Sequence, residues 1–138
     1  MRQVSVSRFV PRSKPTVFRR LAPEAMVRYE GSFDVRGVRD EGAETVVVVG
    51  ARGVEFALRF ESIEDGLRYE QDGEAGPFES METVVAVDPD DGGVTVTARS
   101  SVALGLPFPS LTDRLAAWKR RGELERALDA LAADVANA

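Results

Sequence analysis

With no Cys and no His among 138 residues, the groups able to do chemistry here are hydroxyls, carboxylates, guanidiniums and two lysines. Thiolate nucleophiles and disulfides are excluded. The commonest general base and the commonest metal ligand are missing together. Carboxylates alone hold transition metals weakly, so neither a catalytic set, a metal nor a cofactor is expected. Tyr69 is the sharpest polar candidate, because it stands in an alternating run with Leu67 and Gln71. A Tyr hydroxyl on an apolar face needs a partner, and a ligand oxygen would serve; the plain alternative is a hydroxyl that reaches the sheet edge and water. Ser100 is a second candidate polar point, with a hydrogen bond to backbone as its plain alternative. Glu70, Glu82 and Arg99 would make an acid, a base and a clamp if they faced inward. The alternation turns them outward, where cross-strand ion pairing is the reading.

Three other polar patterns carry less. DPDDGG (88–93) has the carboxylates of a calcium loop, but the twelfth position, which needs a bidentate Glu, is Arg99. A hairpin turn is expected instead. Lys119, Arg120 and Arg121, with Arg114, Arg126 and Trp118 near, fit either a solvated helix end or contact with anionic lipid. There is no nucleophile elbow, phosphate loop or dinucleotide fingerprint.

The elements that must position these residues follow from periodicity. Val4, Val6 and Val10 share one face of a first strand, residues 3–10. Ser13 is a candidate N-cap, with Pro15 in the first turn of a short helix reaching Leu21. Pro23 starts a second short helix to about Tyr29, closed by Gly31. About six strands with period two then run from Ser32 to Leu104, separated by turn signals such as EDG (64–66) and DPDDGG. Phe56, Leu58 and Phe60 make the cleanest apolar face among them, and Phe33, Tyr69, Ala98 and Ser100 are placed on the same side. After Gly105 the period returns to 3.6. Ser110 reads as an N-cap, with Asp113 three residues on as a short relative of the capping box. Leu111, Leu115 and Trp118 cluster on one helix face, and Leu124, Leu128, Leu131 and Val135 on a roughly opposite one. The switch falls at Gly122, where a bend or break is expected. The architecture is α+β: about seven antiparallel strands, two short helices after the first, and a long C-terminal helix as cover, in one domain over 1–138.

Composition limits the partners. A 43% hydrophobic, 30% charged chain folds rather than staying disordered. A net charge of −5 argues against nucleic acid. No apolar run is long enough to span a bilayer and no secretory signal opens the chain, so a cytoplasmic protein is expected. The preference for Arg over Lys fits a GC-rich genome or adaptation to high salt.

The segment VPRSKPTVFRRLAPEAM (10–26), the strand succession and the terminal helix together resemble the START/polyketide cyclase-like (SRPBCC) superfamily with its helix-grip fold. The resemblance implies a curved sheet wrapped round the long helix, with an apolar cavity between them. Its members bind lipids, sterols, polyketides, quinones or plant hormones, and a minority are enzymes. The oxygenase branch, whose iron has two His ligands, is excluded by the absence of His. The expected function is non-catalytic binding of a small apolar ligand. The expected lining is Phe33, Phe56, Leu58, Phe60, Tyr69, Ala98, Ser100, Leu124, Leu128 and Leu131, with Phe108 in GLPFPS as a gate. Two alternatives stand beside it. One is an accessory or assembly protein of the kind that serves carbon-monoxide dehydrogenase, which would have a protein partner. The other is a cyclase-like enzyme using Tyr69 or an inward carboxylate.

Overall fold

In the computed structural model, which describes residues 1–137, the alternating segments form one antiparallel sheet. Its strands are β1 (Arg2–Val10), β2 (Asp34–Glu41), β3 (Glu44–Ala51), β4 (Val54–Ile63), β5 (Gly66–Asp72), β6 (Ser80–Asp90) and β7 (Gly93–Ala103). Strands β2 to β7 follow one another as a meander, and β1 returns beside β7, giving the order β1-β7-β6-β5-β4-β3-β2. Two short helices, α1 (Lys14–Phe18) and α2 (Pro23–Glu30), join β1 to β2, and α3 (Pro109–Ala136) closes the chain. The helix α3 packs on β1, β7 and α2. Among the described residues no helix is long and apolar enough to cross a membrane.

The register sets one row of side chains across five strands. Phe60 pairs with Tyr69, Tyr69 with Thr83, Thr83 with Ser100, and Ser100 with Val4. All five are buried, so the row faces the helices. On the other face, Arg68 pairs with Glu61, Glu70 and Glu82, and Arg59 with Glu41, Glu44 and Asp72. Glu70 and Glu82 thus share one guanidinium on the outer face. Arg99 is exposed there and forms no salt bridge among the described residues.

Several local expectations are corrected. The helix α1 stops at Phe18 rather than Leu21, although Ser13 caps it by accepting from the Thr16 N–H at 3.4 Å. The N-cap of α3 is Phe108, not Ser110, and it holds a left-handed backbone at φ 59°. Asp113 makes no capping box: it accepts from the Leu104 N–H at 2.9 Å and the Met1 ammonium at 2.8 Å. No break occurs at Gly122, because α3 runs on through it. The helix keeps a single inward stripe: Ala116, Ala117, Arg120, Glu123, Leu124, Ala127, Leu128, Leu131 and Val135 are all buried. The two apolar faces in the sequence arise because this stripe turns small and charged upstream of Leu124. The other face, with Leu111, Leu115 and Trp118, is solvent-exposed.

Candidate functional site

A cavity of about 340 Å³ lies between the sheet and the first half of α3. Phe56, Leu58 and Met81 form its sheet wall with Phe33 just before β2, Leu115 and Ala116 close it from α3, and Leu104 lines it from the connector after β7. Phe33 and Phe56 meet edge to face, with ring centroids 4.9 Å apart. Pro77 and Phe78 reach in from the loop between β5 and β6. Gln71 fixes that loop: its amide nitrogen donates to the Phe78 carbonyl at 2.6 Å, and its amide oxygen accepts from the Phe78 N–H at 3.2 Å. Leu115 and Lys119, both exposed, stand at the mouth.

The inner end is charged. Glu30, Arg120 and Glu123 line it, and each of their side chains is at least nine-tenths buried. Glu30 is the last residue of α2, where Gly31 in the left-handed region ends the helix. Arg126 caps that end by donating from Nε to the Glu30 carbonyl at 2.7 Å. From α3, Arg120 reaches across the sheet row. Its Nε donates to Ser100 Oγ at 3.2 Å. Its Nη1 donates to Glu30 Oε1 and, at 3.4 Å, to Glu123 Oε1. Its Nη2 donates to the Tyr69 hydroxyl at 2.8 Å and to Thr83 Oγ1 at 2.9 Å. The Tyr69 hydroxyl in turn donates to Glu30 Oε2 at 2.5 Å. Ser32 donates to Glu123 Oε2. No buried side-chain polar atom among the described residues lacks a partner. A buried charge is tolerable only when it is paired and hydrogen-bonded in this way.

The electrostatics follow from that packing. Burial pushes the Tyr69 phenol well above its ordinary pKa, and the Glu30 carboxylate adds to the rise while Arg120 opposes it. Burial works against the charge on Arg120, but Glu30, Tyr69 and Glu123 outweigh it and hold the guanidinium protonated.

The structure therefore sorts the candidate residues by depth. Phe33, Phe56 and Leu58 are at the cavity wall. Phe60 lies behind them, stacked on Tyr69 with centroids 4.5 Å apart. Ala98, Leu124, Leu128 and Leu131 are in the packed core. Tyr69 and Ser100 serve Arg120, which replaces both the ligand oxygen and the sheet-edge water as partner to the Tyr69 hydroxyl. Phe108 is 79% exposed and does not line the cavity. Arg120 is no part of a solvated basic end: it is 2% exposed, while Lys119 and Arg121 on either side face water. The wall residues Phe78, Met81, Leu104 and Ala116 and the charged groups Glu123, Glu30 and Arg120 were missed as lining. For the last two the signal was helical spacing: Arg120 is four residues before Leu124, and Glu30 is four after Met26.

Comparison with known proteins agrees with this architecture. The family model described as polyketide cyclase/dehydrase and lipid transport matches residues 1–136. No curated protein matches the chain in sequence. Among solved structures, a protein of Thermus thermophilus is similar at 22% identity and a TM-score of 0.76, over 99% of this chain and 98% of that one. A START superfamily protein of Mycobacterium smegmatis is similar at 15% identity and TM-score 0.71, over 98% and 97% of the two chains. A Streptomyces aromatase/cyclase is similar at 14% identity and TM-score 0.72, over 97% and 93%. At these identities the likeness is one of fold.

Proposed function

The chain belongs to the polyketide cyclase/dehydrase and lipid transport family, and from that premise we propose that it is a cytoplasmic carrier or sensor of a small apolar ligand. The ligand is lipid-, quinone- or polyketide-like and is held without chemistry between the sheet and α3. One observation carries the reading: an apolar cavity of about 340 Å³ walled by Phe33, Phe56, Leu58, Phe78 and Met81. That volume falls within the roughly 300–1,000 Å³ of small-molecule sites, which are apolar with few polar groups. Burial of apolar area at about 25 cal/mol per Å², less the cost of association, would supply most of the affinity. The experiment is native mass spectrometry of protein purified from its own host, with binding of an apolar fluorescent dye in parallel. A co-purifying apolar molecule that the dye competes with is the expected result. An empty protein that leaves the dye dark overturns the reading, and a co-purifying protein in its place favours the accessory role.

One observation favours a second reading, the cyclase-like enzyme. Glu30, Tyr69 and Arg120 converge at the cavity's end, an inward carboxylate beside a phenol and a guanidinium. Turnover of a polyketide-like substrate that Glu30→Gln abolishes without loss of binding would establish it.

A further inference from the structure

The polar end of the cavity has a chemical sense that selects among apolar ligands. Arg120 has five N–H donors, and all five are engaged within the protein, by Ser100, Glu30, Glu123, Tyr69 and Thr83. The hydroxyl hydrogens of Tyr69 and Ser32 are committed to Glu30 and Glu123. The Gln71 amide is spent on the loop carbonyls of Gly73 and Phe78. No side-chain donor of the inner end is left for a guest. Acceptors remain. A carboxylate offers about four lone-pair sites. Glu30 uses one for Arg120 and one for Tyr69, and Glu123 one for Arg120 and one for Ser32. Charge points the same way, since two buried carboxylates face one buried guanidinium. Two further cations stand near, both exposed where water screens them: Lys119 at the mouth, and Arg126, which is off the cavity wall and donates to the Glu30 carbonyl and the Ser32 hydroxyl.

Building on the cavity's reading as a ligand site, we infer that its guest is an apolar molecule with a hydrogen-bond-donating head, an amine or a hydroxyl, seated against Glu30 and Glu123. Carboxylate-headed molecules are rejected. An ammonium head satisfies open acceptors and balances the extra negative charge. A hydroxyl head does the first only. A carboxylate head finds no donor and meets two like charges, a repulsion that a desolvated site leaves unscreened.

The test uses three probes with one apolar body: 2-naphthylmethylamine, 2-naphthylmethanol and 2-naphthoate, titrated into the full-length protein by calorimetry at neutral pH. The amine is expected to bind tightest, the alcohol next, and the naphthoate about tenfold or more weaker than the alcohol, a factor set by like-charge repulsion. Glu123→Gln keeps the shape and removes one charge, and it is expected to bring the amine's affinity down towards the alcohol's. Lys119→Gln is expected to leave the order unchanged, with circular dichroism confirming the fold of both variants. Naphthoate binding as tightly as the alcohol, or an order that Lys119→Gln reverses, overturns the inference while the cavity stands as a ligand site. Failure of all three probes to bind overturns the cavity reading and this one with it.

Discussion

Arg120 joins α3 to the sheet and to α2 through one guanidinium, and its removal would leave two carboxylates facing each other in the interior. Breaking a buried ion pair from one side typically costs about 3–5 kcal/mol. Arg120→Leu is therefore expected to lower the melting temperature sharply, and an unchanged melt would mean that water reaches the cluster. The phenols make a second test at this scale. Burial and the hydrogen bond to Asp134 raise the pKa of Tyr29, and burial and Glu30 raise that of Tyr69. These are the chain's two tyrosines. An unfolded Tyr titrates near about 10. A raised folded pKa means that the stability tied to the neutral phenol is whole below pH of about 10 and drains away as pH rises past it. In an alkaline titration the near-ultraviolet phenolate signal is expected to lag behind free tyrosine and to rise together with loss of the circular dichroism of the fold. Phenolate appearing at the pH of free tyrosine, with the fold intact, would contradict the burial of Tyr69 and the hydrogen bond from the half-buried Tyr29 to Asp134. Neither Glu30 nor Arg120 was legible as an inward group, because charge in a helix ordinarily marks the solvent side. The one signal available was the position of each, one turn from an apolar residue of the inward stripe.

The strands were legible because period two with turn signals leaves little choice of face: Phe56, Leu58 and Phe60 point inward together. Depth along that face was not legible. Alternation says which side a residue faces, not how far the opposing helix stands from it. The inward residues of β4 could therefore not be divided into wall and core, and Leu58 borders the cavity while Phe60 is sealed beneath Tyr69. The continuity of α3 was hidden for a related reason, since Ala116, Arg120 and Glu123 carry no apolar signal although they continue the inward stripe. Gly122 is exposed on the outer side of that helix, and a Cβ there would meet nothing within 4 Å. Gly122→Ala is thus expected to stabilise the protein by about 0.5–1 kcal/mol, the difference in helix propensity. The check is the midpoint of a urea titration, and a lower midpoint would show that the helix needs a flexible joint at this position.

At the scale of the molecule, the sheet and α3 grip along β1 and β7 and part company towards β4, and the cavity occupies the part left between them. A bulky side chain at its wall should occupy the guest's place rather than disturb the grip. Ala116→Phe is expected to keep the fold and to abolish uptake of an apolar fluorescent dye. The same change at Ala98, which is fully buried in the packed core, is expected to cost about 1–3 kcal/mol through overpacking. Dye uptake undiminished in Ala116→Phe would place the dye elsewhere on the protein. The outer face of α3 adds an optical property. Trp118 is the chain's only indole and is 76% exposed, one turn from Leu115 at the cavity mouth. Its emission in the folded protein is expected to be that of an indole in water, with denaturation hardly reddening it. A shift to the blue has one meaning here: something, whether a guest's tail, a lipid surface or another protein, has settled over the outer face of the helix.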